Sequence, residues 1–268
     1  SAGFGGGGIN NRYATLTLTN SVVNKNEARV GGGLYNRYAT AVITDSTFSS
    51  NEARVDGGGV LNSKSNITLT KSTLNENKAR NGGGILNESD STLTLINSTL
   101  SSNEANFQGG GFLNRLNSTA TLTSSTLTGN KAKNNGGGIL NDAMLNLANS
   151  LISGNDANSN NTRFGRGDEI ANEDSGDVNA DANNLFGHSG LTNADAFVDF
   201  APSGSDITAT SDGTDATALP DILNTTLKNN GGPTQTHALV EGSPAIDAGN
   251  NSQSPGATDH RGEDRVVD

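Results

Sequence analysis

One pattern recurs six times between residues 6 and 157 and limits the fold more than any other feature of the chain. Each copy contains a glycine triplet, an aliphatic residue, an asparagine, an alternation of Thr and Leu, a serine and an Asn-x-Ala ending. The period of 25 to 27 residues is set by triplets that begin at Gly6, Gly31, Gly57, Gly82, Gly109 and Gly136. A fixed period of roughly 20 to 50 residues indicates a solenoid, a propeller or a repeat array.

The residues within one repeat exclude paired helices and favour short strands. Glycine triplets and β-branched residues are poor helix formers, whereas an alternation such as Leu16-Thr17-Leu18 is typical of a half-buried strand. Two further apolar columns begin at Ile9 and Val23. A propeller blade needs about 40 residues, so a shorter repeat fits one coil of a parallel β-helix, with equivalent residues stacked about 4.8 Å apart. We therefore predict an all-β solenoid of about seven coils.

Two asparagine columns keep the same period, one starting at Asn11 after each triplet and one starting at Asn26 in each Asn-x-Ala ending. A stacked asparagine amide can donate to and accept from the same amide one coil further along. Asparagine also tolerates the left-handed backbone of a tight corner. Both columns are therefore predicted to stabilise the stack of coils.

The repeat becomes irregular after Ala157 and then ends. Residues 167–172 restore the outline of the glycine corner, Val178 falls in the column of Leu18 and Leu147, and Leu185-Phe186 closes a seventh coil. We predict a β-helix over residues 1–187 and a non-repetitive capping region over 188–268, because an open solenoid end exposes unpaired strand edges. His188, His237 and His260 are expected to form hydrogen bonds in this region, and an Asp259–Arg261 pair is expected to fasten it.

Sequence motifs in the last 45 or so residues carry a family resemblance. They are Leu227-Lys228-Asn229-Asn230-Gly231-Gly232-Pro233-Thr234-Gln235-Thr236-His237-Ala238-Leu239, Gly242-Ser243-Pro244-Ala245-Ile246-Asp247-Ala248-Gly249 and Thr258-Asp259-His260-Arg261-Gly262. This segment resembles the tail of bacterial choice-of-anchor Q domain proteins, and the repeats resemble those of polymorphic outer-membrane proteins. The resemblance implies a right-handed parallel β-helix that is exported to the bacterial cell surface or beyond. It supplies no catalytic residues.

Composition limits the kinds of partner and the cellular locations that we expect for this protein. A net charge of −11 argues against nucleic acid, which is bound by clustered Lys and Arg. No apolar run is long enough to span a membrane, and we expect no cofactor. The chain begins directly on a repeat corner, so we expect it to be a piece of a longer protein with an uncapped first coil.

The outward positions beside the Leu18 column carry mostly Thr, including Thr17, Thr68, Thr94 and Thr121, which cannot act as general acids or bases. The leading hypothesis is therefore a non-catalytic extracellular structural or adhesive rod. It would associate with copies of itself, or with a surface glycan or protein. If an open first coil stacks on another molecule, the contact does not close and a head-to-tail fibre results.

Three alternatives stay open. Arg12-Tyr13 and Arg37-Tyr38 lie in identical Asn-Arg-Tyr-Ala-Thr segments one coil apart, so they predict a patch that binds sugar or a partner in a carbohydrate-binding or polysaccharide-degrading β-helix. Regularly spaced Thr-x-Thr on one face is also an arrangement used for ice binding. Finally, Asp174, Asp177 and Asp181 supply oxygen ligands for calcium, or else form an exposed acidic loop.

Overall fold

The protein is a parallel β-solenoid in which each coil adds one strand segment to each side of the stack. The computed structural model describes residues 5–158, 167–173, 176–180, 183–254, 256 and 258–264. The predicted fold class is confirmed: equivalent strands of successive coils pair in parallel, about 26 residues apart, over about seven turns.

The first four coils each contain four strand segments, one more than the three that the apolar columns predict. The fourth segment is the Asn-x-Ala ending, whose alanine points inward and is buried in every coil, as at Ala53 and Ala79. These strands are β1 (Ile9–Arg12), β2 (Thr15–Thr19), β3 (Val22–Asn24), β4 (Glu27–Val30), β5 (Leu34–Arg37), β6 (Thr40–Thr44), β7 (Thr47–Ser49), β8 (Glu52–Asp56), β9 (Val60–Ser63), β10 (Asn66–Thr70), β11 (Thr73–Asn75), β12 (Lys78–Asn81), β13 (Ile85–Glu88), β14 (Thr92–Ile96), β15 (Thr99–Ser101) and β16 (Glu104–Gln108).

In the fifth and sixth coils the first two segments fuse into one long strand, which joins both columns of strands into a single sheet. The strands of the later coils are shorter. They are β17 (Phe112–Thr123), β18 (Thr126–Thr128), β19 (Lys131–Ala132), β20 (Ile139–Ala148), β21 (Leu151–Ile152), β22 (Asp156–Ala157), β23 (Ile170–Asn172), β24 (Asp177–Asn179) and β25 (Leu185–Phe186).

Three parallel sheets enclose the core. The first sheet holds the first two segments of each coil, the second holds β3, β7, β11, β15, β18, β21 and β25, and the third holds β4, β8, β12, β16, β19 and β22. The interior is a continuous apolar column that includes Leu34, Phe48, Leu69 and Phe112, all fully buried.

Both predicted asparagine ladders are present. In the first ladder, from Asn11 to Asn172, each side-chain nitrogen donates to the next side-chain oxygen at 2.7–2.9 Å. The second runs from Asn26 to Asn155 with the same geometry at 2.8–2.9 Å. Glu169 ends the second ladder, because its carboxylate accepts from the Asn155 side chain where the next asparagine would stand. Burial raises the pKa of Glu169 to about 8, although the N–H donors of Asn155 and Gly154 oppose that shift.

A second, narrower apolar column lies on the outer side of the first sheet. Leu61, Leu86, Leu113 and Leu140 are buried there beside Val30. The glycine corners fit closely around these coils: a Cβ on Gly83 would lie 2.6 Å from the backbone of Glu104 and from the carbonyl oxygen of Gly110. The glycine triplets therefore allow the backbones of neighbouring coils to approach each other closely.

Paired strands continue beyond residue 187. After helix α1 (Asn193–Ala196), strand β26 (Phe197–Val198) pairs with β23, and β27 (Ile207–Thr208) pairs with β25. Leu191 and Phe200 pack against the last turn of the core. Within the seventh coil Val178 pairs with Leu145, so the prediction that it joins the column of Leu18 and Leu147 is wrong by two residues.

From Leu219 the chain turns back along the outer face of the second sheet, and we call the described residues from 219 to 264 the strap. It begins with helix α2 (Leu219–Ile222) and includes a 3₁₀ turn (Asn251–Gln253). Its attachment points pass along the solenoid more than once: Thr234 bonds to Thr73 in the third coil, residues 248 and 250 bond to Asn183 and Asn149, and Thr258 bonds to Asn97 and Lys71. The strap therefore covers the side of the solenoid from the seventh coil back to the third.

Exposure along the second sheet shows where the strap ends. The outward residue is 67% exposed at Val22 in the first coil but only 1% at Thr73 in the third.

Two histidines help to attach the strap to the solenoid. His237 bonds to Ser101, and His260 bonds to Thr234, which itself bonds to Thr73. The Asp259–Arg261 ion pair instead joins two residues of one turn at 2.7 Å, so other groups attach the strap to the solenoid.

Candidate ligand-binding surface

Four residues predicted to form a patch come together at one corner of the first two coils. Register pairs Arg12 with Arg37, and the tyrosine rings that follow them are stacked with centroids 5.2 Å apart and planes within 2°. Tyr13 is 71% exposed and Tyr38 is 37% exposed, so both rings are accessible to a ligand.

Cations surround the stacked rings. The guanidinium carbons of Arg12 and Arg37 lie 5.8 and 5.1 Å from the centroids of Tyr13 and Tyr38. The ammonium of Lys64, in the third coil, lies 5.5 Å from the Tyr38 centroid. Contacts of this kind are worth about 0.5–1 kcal/mol each at an exposed site. We call these five side chains the Arg–Tyr surface.

Lys64 is the member that sequence reasoning missed. Tyr13, Tyr38 and Lys64 each follow a ladder asparagine by two residues, so they occupy one column. Because the third coil has lysine where the first two have tyrosine, a search for repeated Arg-Tyr pairs passes over it. The register of the ladder asparagines was the signal that could have found it.

The backbone at this corner is costly for these residue types. Tyr13, Tyr38 and Lys64 have φ of 55°, 50° and 51°, in the left-handed region that glycine and asparagine adopt most readily. That region costs an ordinary L-residue roughly 1–2 kcal/mol. The same backbone recurs at other corners, for example at Lys25 and Glu76, so it belongs to the turns of the solenoid and is held in place by stacking.

Electrostatics set the Arg–Tyr surface apart from the rest of this acidic protein. Lys64 first and Arg37 second hold the pKa of the Tyr38 hydroxyl below its ordinary value. Within the described residues, none of Arg12, Arg37 and Lys64 forms a salt bridge. Residues 1–133 carry 12 Lys and Arg against 8 Asp and Glu, whereas residues 134–268 carry 5 against 20. The cationic corner thus lies in the basic half of a chain whose other half is strongly acidic.

A shallow depression of about 670 Å³ adjoins the rings. Its floor includes Thr15, Thr40 and Asn66, and Asp90 supplies the carboxylate of its lining. The surface therefore offers aromatic faces, hydroxyl and amide groups, and positive charge. Such groups can bind a polar, anionic ligand.

The predicted calcium ligands do not form a describable site. Asp174 and Asp181 lie outside the described residues, and Asp177 is exposed on β24. Across the described ranges, no group of three His, Cys, Asp or Glu is placed to hold a metal ion.

Membrane and family comparisons add two observations. In the part of the chain that the structure describes, no helix has the length and apolar character to cross a membrane. Comparison of the chain with protein-family models, curated proteins and solved structures gives no match.

Proposed function

We propose that this protein is a non-catalytic adhesive rod of the bacterial cell surface that binds an acidic polysaccharide through the Arg–Tyr surface. The observation that carries the proposal is the set of three cations, without salt-bridge partners among the described residues, around two stacked, exposed tyrosines.

The chemistry of the surface favours a sugar that bears carboxylate or sulfate groups. Aromatic rings offer a broad apolar contact at low entropic cost, and they suit the C–H face of a pyranose ring. Arginine binds carboxylate and sulfate oxygens with two parallel hydrogen bonds, while lysine adds a compact charge. A neutral glycan would use the rings but leave Arg12, Arg37 and Lys64 without counter-charges.

The division of charge along the chain supports the same ligand. An anionic chain is attracted to Arg12, Arg37 and Lys64 in the first three coils and is repelled by the acidic C-terminal half, whose strap folds back as far as the third coil. This long-range term is screened by salt, since the Debye length is about 8 Å at physiological ionic strength. Binding should therefore weaken as salt is added.

Binding without cleavage is the expected outcome. Glycoside hydrolysis uses two carboxylates on opposite sides of the scissile bond, and among the described residues Asp90 is the carboxylate that lines the depression. Tyr38 is exposed to water, which limits how far its pKa can move toward that of an effective base. Incubation with a uronic-acid polymer should release neither reducing ends nor unsaturated product.

End-to-end assembly into a fibre stays a prediction. Leu191, Phe197 and Phe200 pack on the C-terminal turn of the core, so a second copy stacked there would have to displace them. The adhesive role does not depend on that displacement.

A glycan array tests the proposal. The informative variant is Tyr13→Asn with Tyr38→Asn, because asparagine keeps the left-handed corner while removing both rings. Phe107→Ala is the matched control: Phe107 is also 37% exposed and also has an arginine over its ring, Arg80 at 5.5 Å. We expect wild type and the control to bind uronate or sulfated glycans and the double variant to lose at least about tenfold in affinity. Unchanged binding by the double variant, or binding confined to neutral glycans, would refute the proposal.

A further inference from the structure

A regular array of side chains covers the outer face of the second segment of each coil. We call it the Thr face, and it consists of the outward residues of β2, β6, β10, β14, and the second halves of β17 and β20. Three columns of six residues form it. They are Thr15, Thr40, Asn66, Thr92, Thr119 and Met144; Thr17, Val42, Thr68, Thr94, Thr121 and Asn146; and Thr19, Thr44, Thr70, Ile96, Thr123 and Ala148.

The composition of the Thr face differs from that of the other sides. Twelve of its 18 residues are threonine, and none is charged or aromatic. The third sheet instead presents charged residues, such as Glu52, Arg54 and Lys78, and most of the second sheet is covered by the strap. Of the three sheets, the first therefore has a face that is uncharged and accessible over six coils.

The array is held in a fixed two-dimensional spacing. Neighbouring coils pair residue for residue across the face, about 4.8 Å apart along the axis, and alternate residues of a strand stand about 6.6 Å apart. The inward residues between them, including Ile67, Leu93 and Leu95, are fully buried. Because threonine is also stiff at χ1, its methyl and hydroxyl groups are held in few orientations. None of these side chains is buried, and within the described residues none of the twelve hydroxyls bonds to another group of the protein.

We propose that the Thr face binds ice. A surface that is periodic in two dimensions fits a partner that is periodic in two dimensions. The partner must also accept hydroxyl and methyl groups side by side without charge. An ordered water lattice meets both conditions, because water can bond to the hydroxyls and enclose the methyls.

The same features argue against a crystalline polysaccharide as the occupant. Sugar surfaces are bound through aromatic platforms, and the 18 positions contain no aromatic residue. The two stacked tyrosines, Tyr13 and Tyr38, lie at the neighbouring corner, on the Arg–Tyr surface. Thr15, Thr40 and Asn66 belong both to the first column of the Thr face and to the depression beside the rings, but the rings and charges lie outside the array. Each surface can therefore fail its test without the other.

Partition into ice tests the inference directly. Fluorescently labelled protein is placed around a slowly growing ice hemisphere, and its incorporation is compared with that of a labelled globular protein that ice excludes. We expect wild type to enter the ice and Thr94→Tyr to be excluded, because the bulky ring at the centre of the array holds the neighbouring threonines away from the lattice. Arg54→Tyr, which adds the same ring to the third sheet, is the matched control and should enter the ice like wild type.

Two further measurements keep the outcome decisive. Circular dichroism before freezing shows that each variant is folded, and Thr94→Val, which retains shape and one methyl, should keep most of the incorporation. Wild-type exclusion from ice would overturn the inference. So would equal incorporation of wild type and Thr94→Tyr, or binding of wild type to crystalline cellulose but not to ice.

Discussion

Removal of one interior rung of the second asparagine ladder should be unusually costly. Asn103 is fully buried, and its side chain makes four hydrogen bonds. Its nitrogen donates to the Leu74 carbonyl at 3.0 Å and to Asn130 at 2.9 Å, and its oxygen accepts from the backbone and side-chain nitrogens of Asn77 at 3.0 and 2.9 Å. Asn103→Ala deletes all four bonds.

The size of the expected loss in stability follows from the polar groups that lose a partner when the Asn103 side chain is removed. Two donors of Asn77 and one acceptor each on Leu74 and Asn130 would lose a partner inside the core. An unsatisfied buried polar group costs about 1–3 kcal/mol. The Asn77 side chain keeps its bond to the Phe48 carbonyl, and the Asn130 oxygen keeps the backbone N–H of Asn103, so the full cost falls on the backbone N–H of Asn77. One unsatisfied group and three lost bonds give roughly 2.5–7.5 kcal/mol, and a water molecule that enters the vacated space would move the result toward the lower limit. We therefore expect a loss of at least about 2.5 kcal/mol in the free energy of unfolding.

The matched control is Asn26→Ala at the first rung. Asn26 is only partly buried, and its side chain donates to Asn24 and Asn51, where water can replace it. We expect this variant to lose about 1 kcal/mol. Urea unfolding followed by circular dichroism measures both variants, provided that the transitions keep the same slope. A difference between them of less than about 1 kcal/mol would show that the ladder is not a principal source of stability.

Three further predictions concern protonation and close packing. Because burial raises the pKa of Glu169 to about 8, the native state keeps a proton that the unfolded state releases. The free energy of unfolding should therefore fall, by up to about 5 kcal/mol, between pH 4.5 and 8, and a flat pH series would contradict this. Burial lowers the pKa of His260 to about 4, so strap stability should be lost as pH falls below 6.5, with smaller hydrogen-exchange protection factors in the strap; protection factors that are unchanged at pH 4.5 would count against it. Gly83→Ala should prevent normal folding, whereas Gly204→Ala, with nothing within 4 Å of its Cβ, should leave the melting temperature unchanged.

Much of the fold could be predicted because each coil of a solenoid packs its side chains in the same way as the coil before it. The columns beginning at Ile9, Leu18 and Val23 and the ladders beginning at Asn11 and Asn26 recur at a fixed period, since each coil packs on a coil like itself. Residues that recur at the repeat period are therefore the residues that contact one another in neighbouring coils. The short alanine strands were missed because they supply only one inward residue per coil.

The path of the strap could not be read from the sequence because nothing in it repeats. Its contacts join residues far apart in the chain, such as Thr73 with Thr234 and Asn149 with Asn250, through single polar groups that leave no periodic pattern. Likewise, Leu61 and the leucines stacked with it look like outward residues of a strand. They are buried because they pack on one another from coil to coil, against the glycine corners and against Val30 and Val198.

Repetition also explains why part of the candidate site could be predicted. Arg12-Tyr13 and Arg37-Tyr38 stand out as an identical pair in adjacent coils, so their stacking follows from the period. Lys64 breaks that identity, and its part in the surface emerged only from its position over the Tyr38 ring.

The affinity of the Arg–Tyr surface for charged and neutral polysaccharides is the most direct test of the central claim. Calorimetric titration would compare a polyuronate with a neutral polyglucan at low and physiological salt, for wild type and for Arg37→Gln combined with Lys64→Gln. We predict binding to the polyuronate that weakens with salt, little binding to the neutral polymer, and at least about a tenfold loss in the variant. Equal affinity for both polymers, or polyuronate binding that neither salt nor the variant reduces, would contradict the account.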